Sequence, residues 1–95
     1  MTLTTRHKGV IKLPRGSSWE VIALTWFDGS DWGGFLEVLE EEEKLRKSIT
    51  PDGALFELHL DDGRRGEIEV RFSEFIADGK PPLIFSGKGK LRRDG

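Results

Sequence analysis

Two neighbouring stretches of the chain alternate between apolar and polar residues, with Leu55 as the exception. Over 54–60 the apolar side chains occupy the even positions, 66–72 repeats that pattern, and Asp62-Gly63 lies between them. A repeat of two is typical of a β-strand with one buried face, and Asp-Gly is a frequent hairpin turn. The two stretches therefore predict a hairpin in which the charged, odd-numbered side chains face water.

The alternation also restricts how the two strands pair. A shift of one residue would place the core face of one strand opposite the solvent face of the other. We therefore expect Leu58 to pair with Ile68, through a loop of three or five residues or a bulge beside the turn. In that register His59 lies opposite Glu67.

Similar short extended stretches recur along the chain, separated by turns that contain Gly, Pro and Asp. They cover 4–13, 18–27, 54–60, 66–75 and 83–92. Residues 35–49 are ambiguous: we expect a strand at about 34–40, then a charged segment with one helical turn, which pairs such as Glu42–Arg46 support. The pattern predicts one all-β, mostly antiparallel domain over 1–95, a small barrel or roll of five to seven strands, with at most one short helix near 40–48.

The chain carries enough large apolar groups for one core, since it has three Trp and six Phe in 95 residues. We predict that the core is formed by one face of each strand. Its expected members are Val10 or Ile11, Ile22, Leu24, Phe56, Leu58, Ile68, Val70, Phe72, Phe85 and Leu91.

Composition excludes several classes of protein. No apolar run approaches the roughly 18 residues of a transmembrane helix. The chain contains no Cys, which excludes a disulfide framework and a thiolate zinc site. The opening MTLTTRHKGV lacks the apolar region of a secretory signal. We therefore expect a cytoplasmic protein with no membrane partner and no cofactor.

Charge is distributed unevenly along the sequence. Residues 1–16 carry four basic and no acidic residues, whereas 17–79 carry six basic and sixteen acidic ones. Residues 80–95 carry five basic residues and one acidic residue. Basic ends that flank an acidic middle favour docking by charge, either on a partner or on a second copy.

The basic ends supply the candidate binding residues. Lys8 and Lys12 share one face of the first strand, and Lys88, Lys90 and Arg92 share one face of the last. If the two strands pair, these cations form one stripe that would follow a phosphate backbone, with Trp32 stacking on bases or sugars. Alternatively, they complete a mixed surface beside the Glu67 and Glu69 strand, which the overall pI of about 5.7 favours.

Two loops have features of ligand sites but are more simply explained as turns. DDGRRG, residues 61–66, enters a strand and lacks the Lys and hydroxyl of a phosphate-binding loop, so we interpret Arg64 and Arg65 as solvated charges, with a phosphate grip as the alternative. WFDGSDWGG, residues 26–34, offers carboxylate and hydroxyl oxygens. It lacks the ligand spacing of a calcium loop, and we predict no metal site.

Catalysis has little support in the residue types present. The chain has two His, no Cys and no Tyr, and contains neither an HExxH nor a GxSxG motif. We predict a non-catalytic interaction module that self-associates or docks on a protein partner through segregated charge. The alternatives are a single-stranded nucleic-acid or oligosaccharide binder using the basic stripe, and an enzyme of unknown class using His59 with Glu67.

Overall fold

A computed structural model describes residues 3–14, 16–50, 52–74 and 79–93. These residues form seven strands and one short helix, which confirms the predicted fold class. In chain order the elements are β1 (Leu3–Lys12), β2 (Ser18–Asp28), β3 (Asp31–Val38), α1 (Glu42–Lys47), β4 (Ala54–Leu60), β5 (Arg64–Phe72), β6 (Leu83–Gly87) and β7 (Arg92–Arg93).

Six of the strands close into an antiparallel barrel. The order is β4-β1-β2-β3-β6-β5, the pairing of β4 with β5 closes the ring, and β7 adds to β5. The first and last strands do not pair, because β1 pairs with β2 and β4, so the condition for a single cationic stripe is not met. Gly9 permits the β1–β4 contact: a Cβ at this position would lie 2.5 Å from the carbonyl oxygen of His59.

The β4–β5 hairpin has the predicted faces but a different register. Phe56, rather than Leu58, lies opposite Ile68. This shift of two residues from the expected pairing leaves every side chain on its predicted face. The loop between the strands has the shorter of the two expected lengths, residues 61–63, and Gly63 takes a φ of 91° that favours glycine.

The barrel interior holds most of the predicted core. Its buried apolar residues are Ile11, Trp19, Val21, Ala23, Trp32, Leu36, Leu45, Ile49, Phe56, Leu58, Leu60, Ile68, Val70, Leu83 and Phe85. Phe72 and Leu91 are partly buried against them. The predicted orientation of β2 is wrong, because Ile22 is only half-buried and Leu24 is exposed. Trp19, on the opposite face of β2, is the inward ring and packs edge-to-face on Phe56 with 6.1 Å between ring centroids.

Helix α1 follows β3 and packs on the barrel. It buries Leu45 completely. The Nε of Arg46 donates to Glu42 over 2.7 Å, and its Nη1 donates to the carbonyl oxygen of Pro81 over 2.8 Å. The predicted helical turn is thus confirmed. Within the described parts of the chain, no helix is long and apolar enough to cross a membrane.

Candidate functional site

The cationic segment, residues 88–93, is held against the barrel at several points. The expected strand over 83–92 ends at Gly87, because the chain turns at Gly89, whose φ of 125° favours glycine. The backbone N–H of Lys88 donates to the carbonyl oxygen of Glu67 over 2.8 Å. Leu91 packs against the core, and the two residues of β7 pair with β5. The segment therefore presents its charges from a fixed backbone.

Trp32 adds a further attachment and is not an exposed stacking residue. Its side chain is 4% exposed, which corrects the predicted role in stacking. The ring fits beside two glycines: a Cβ would lie 2.1 Å from it at Gly87 and 2.9 Å from it at Gly66. The indole Nε1 donates to the carbonyl oxygen of Gly89 over 2.7 Å. Trp32 thus supports the cationic segment from within the barrel.

Arginines face one another where β7 meets β5. Arg92 lies opposite Arg65, and Arg93 lies opposite Arg64. Like charges directly opposite on neighbouring strands destabilise the pair. Beside them is a groove of about 350 Å³. It is lined by Glu57, Arg65, Gly66, Glu67, Lys88, Gly89, Lys90 and Arg92.

The structure brings together only part of the predicted basic stripe. Lys88, Lys90 and Arg92 line the same groove, whereas Lys8 and Lys12 lie on β1. Lys12 is opposite Glu57, which in turn is opposite Glu67. This part of the barrel therefore carries residues of both charges, as in the mixed surface that the sequence offered as an alternative.

A second surface, the β2–β3 face, is apolar and exposed. Among the described residues, three of the four exposed large hydrophobic side chains lie on it: Leu24 (36% exposed), Phe35 (49%) and Leu39 (43%). Leu24 and Phe35 are directly opposite in the β2–β3 register, and Ile84 continues the row on β6. Exposed apolar side chains that adjoin in this way are typical of an interaction surface.

Charged residues border the β2–β3 face, and their sign differs from one side of the face to another. On β1, Arg6 lies opposite Leu24 and Lys8 lies opposite Ile22, so basic residues border the face on this side. Four exposed acidic residues lie at the end of β3 near Leu39, and one of them, Glu41, is ion-paired with Lys44 over 2.9 Å. The four are Glu20, Glu37, Glu40 and Glu41.

Sequence reasoning missed this face because it placed Ile22 and Leu24 inside the barrel. The signal was present: in β2, SWEVIALTWFD, apolar residues occupy both sides of the strand. One apolar side of a strand in a small closed barrel must face outward.

The hairpin tip holds Arg64 in a local network. Its Nε donates to Asp62 over 2.8 Å, its Nη2 lies 3.2 Å from His7 Nε2, and its guanidinium lies 5.3 Å from the centre of the Phe27 ring. Burial acts to raise the pKa of Asp62, but the hydrogen bonds and charge of Arg64, together with His7, outweigh burial and lower it. The charge of Arg64 is thus largely matched by Asp62.

His59 does not form the pair on which the enzyme alternative depended. It lies opposite Arg65, and its Nε2 is 2.5 Å from Glu57 Oε1 on the same strand, so the predicted contact with Glu67 is wrong. The two-residue shift in register explains the difference. No cluster of three or more possible metal-binding side chains occurs in the described ranges.

In comparisons with known proteins, no family model, curated protein or solved structure matches this chain.

Proposed function

We propose that the protein is a small, non-catalytic interaction module that binds a second copy of itself through the β2–β3 face. The observation that carries the proposal is the direct pairing of two exposed apolar side chains, Leu24 and Phe35, between borders of opposite charge. Burial of the apolar centre favours association, and the charged borders determine how the two copies are oriented.

A two-fold axis accounts for both features of the face. In a symmetric dimer the same patch is used by both copies, so it must be complementary to itself. An axis near Phe35 places the Arg6 and Lys8 border of one copy over the Glu20 and Glu37 border of the other. A typical interface covers roughly 800 Å² on each partner, which is about one-eighth of the 6392 Å² surface of this chain.

We also propose a cytoplasmic setting for the module. The chain contains no cysteine, so nothing in its composition depends on an oxidising compartment.

The first experiment measures mass in solution. Size-exclusion chromatography with light scattering, from micromolar to millimolar protein, should show a concentration-dependent dimer. Phe35→Glu should shift the protein to monomer, because a carboxylate would be buried at the centre of the interface. Leu55→Glu is the matched control, since Leu55 is 50% exposed on β4 and should leave the dimer intact.

The second experiment tests the orientation by charge. Lys8→Glu and Glu20→Lys should each weaken the dimer, and the double variant should recover most of the loss. A wild-type protein that stays monomeric at millimolar concentration would refute the proposal. Equal disruption by Leu55→Glu and Phe35→Glu would show that another surface forms the dimer.

A further inference from the structure

We infer that the groove between β5 and the cationic segment is a second binding site, which takes an acidic peptide segment of another protein. It is separate from the β2–β3 face, and the inference does not depend on dimer formation.

The backbone around the groove is already in place before any ligand binds. Two hydrogen bonds, from Lys88 N–H to the carbonyl oxygen of Glu67 (2.8 Å) and from Trp32 Nε1–H to that of Gly89 (2.7 Å), hold the first two residues of the connection between β6 and β7. A ligand therefore does not have to order this segment, and less affinity is lost to conformational entropy on binding.

Several cations in or beside the groove have no ion-pair partner among the described residues. Among the described residues, no carboxylate lies within 4.0 Å of the charged groups of Lys90, Arg92 or Arg93. Lys88 has only a distant partner, with its Nζ 3.9 Å from Glu69. An anionic ligand would supply charge-assisted hydrogen-bond acceptors to Lys90 and Arg92, which line the groove.

The rest of the lining favours a peptide over a nucleic acid. No aromatic side chain is among the described residues that line the groove, so these residues offer bases no stacking surface. Glu57 and Glu67 also line the groove, and both would repel a nucleic acid, whose backbone carries a negative charge on every nucleotide. A peptide can carry its carboxylates opposite the cations and place neutral or basic residues opposite these two glutamates.

The test is fluorescence anisotropy with a labelled peptide of about ten residues in which glutamate and glycine alternate, whose extended length of roughly 33 Å approaches the 36 Å long dimension of the protein. The site variant is Lys90→Glu with Arg92→Glu. The control is Lys44→Glu with Lys47→Glu on α1, which changes the net charge equally. Because α1 contacts Phe72, at the far end of β5 from Arg65, the control lies away from the groove.

We expect saturable binding that weakens with added salt, at least a tenfold loss of affinity in the site variant, and less than a twofold change in the control. Phe35→Glu should bind the peptide like the wild type, which separates this site from the dimer surface. Absence of saturable binding, or equal losses in the site and control variants, would overturn the inference. Tighter binding of an oligothymidylate of equal length would overturn it in favour of nucleic acid.

Discussion

The indole of Trp32 donates a hydrogen bond from Nε1 to the carbonyl oxygen of Gly89, over 2.7 Å, across 57 positions of sequence. This contact joins the barrel interior to the cationic segment, residues 88–93. Packing of the ring in the core and the position of the groove are therefore coupled through one side chain.

Trp32→Phe should loosen the cationic segment as well as the core. The change removes the donor to Gly89 and part of a buried ring, and we expect a loss of about 1–3 kcal/mol in the free energy of unfolding. Urea denaturation measures the loss, and hydrogen exchange should show faster exchange of the Lys88 and Gly89 amides. Trp26→Phe, at a half-buried position, is the control. Unchanged exchange at 88–93 in Trp32→Phe would show that the hydrogen bond does not hold the segment.

Gly87→Ala should be destabilising because the new methyl group meets the same ring. A Cβ at Gly87 would lie 2.1 Å from Trp32 Cε2, so ring or strand must move. Overpacking of this kind costs typically about 1–3 kcal/mol. Thermal unfolding of Gly87→Ala, of Trp32→Leu and of the double variant tests the contact. The two losses should be less than additive, and strict additivity would contradict the proposed clash.

The sequence predicted the β4–β5 faces well because their residues differ sharply in polarity. Phe56 and Ile68 point inward, while Glu57 and Glu67 are exposed, as expected. In β2 that contrast is missing, since Ile22 and Leu24 face outward although they are as apolar as their inward neighbours. Periodicity shows that two faces exist, but only the packing of distant residues determines which face is inside.

The candidate sites, like the faces of the strands, could be predicted from the sequence only in part. Lys88, Lys90 and Arg92 line one groove, but the continuous strand that was expected to align them ends at Gly87. The burial of Trp32 could not be predicted from its own neighbours, because the space for its ring is provided by Gly66 and Gly87, far away in sequence. The pairing of β1 with β4 likewise depends on closure of the whole barrel.

Thr25→Val should stabilise the protein. Thr25 is completely buried, and its Oγ1 has no hydrogen-bond partner among the described residues. Because valine has nearly the same shape, the change removes an unsatisfied hydroxyl without opening a cavity, and we expect a gain of about 1 kcal/mol. In a domain of this size that corresponds to an increase in melting temperature of about 4–8 °C. The control Thr4→Val, at an exposed position of β1, should change stability by less than about 0.5 kcal/mol. A lower melting temperature in Thr25→Val would indicate that the hydroxyl makes a stabilising contact.

Asp62→Asn should reduce the dependence of stability on acid pH. The pKa of Asp62 is lowered from 3.8: burial acts to raise it, but the backbone and side-chain hydrogen bonds from Arg64 and the nearby positive charges outweigh burial. Because the folded state binds this proton less readily than the unfolded state, the carboxylate stabilises the fold above the unfolded pKa. That contribution is lost as pH falls through the folded pKa. The difference is expected to be below about 1 kcal/mol, since the pair is partly exposed to solvent.

Melting temperatures measured at pH 7 and at about pH 3 test the effect of Asp62. Wild type should be more stable than Asp62→Asn at neutral pH, and the difference should shrink on acidification. Asp28→Asn, at an exposed position at the end of β2, should retain the pH dependence of the wild type. A difference between wild type and Asp62→Asn that stays constant or widens toward low pH would show that the interaction with Arg64 does not depend on the charge of this carboxylate.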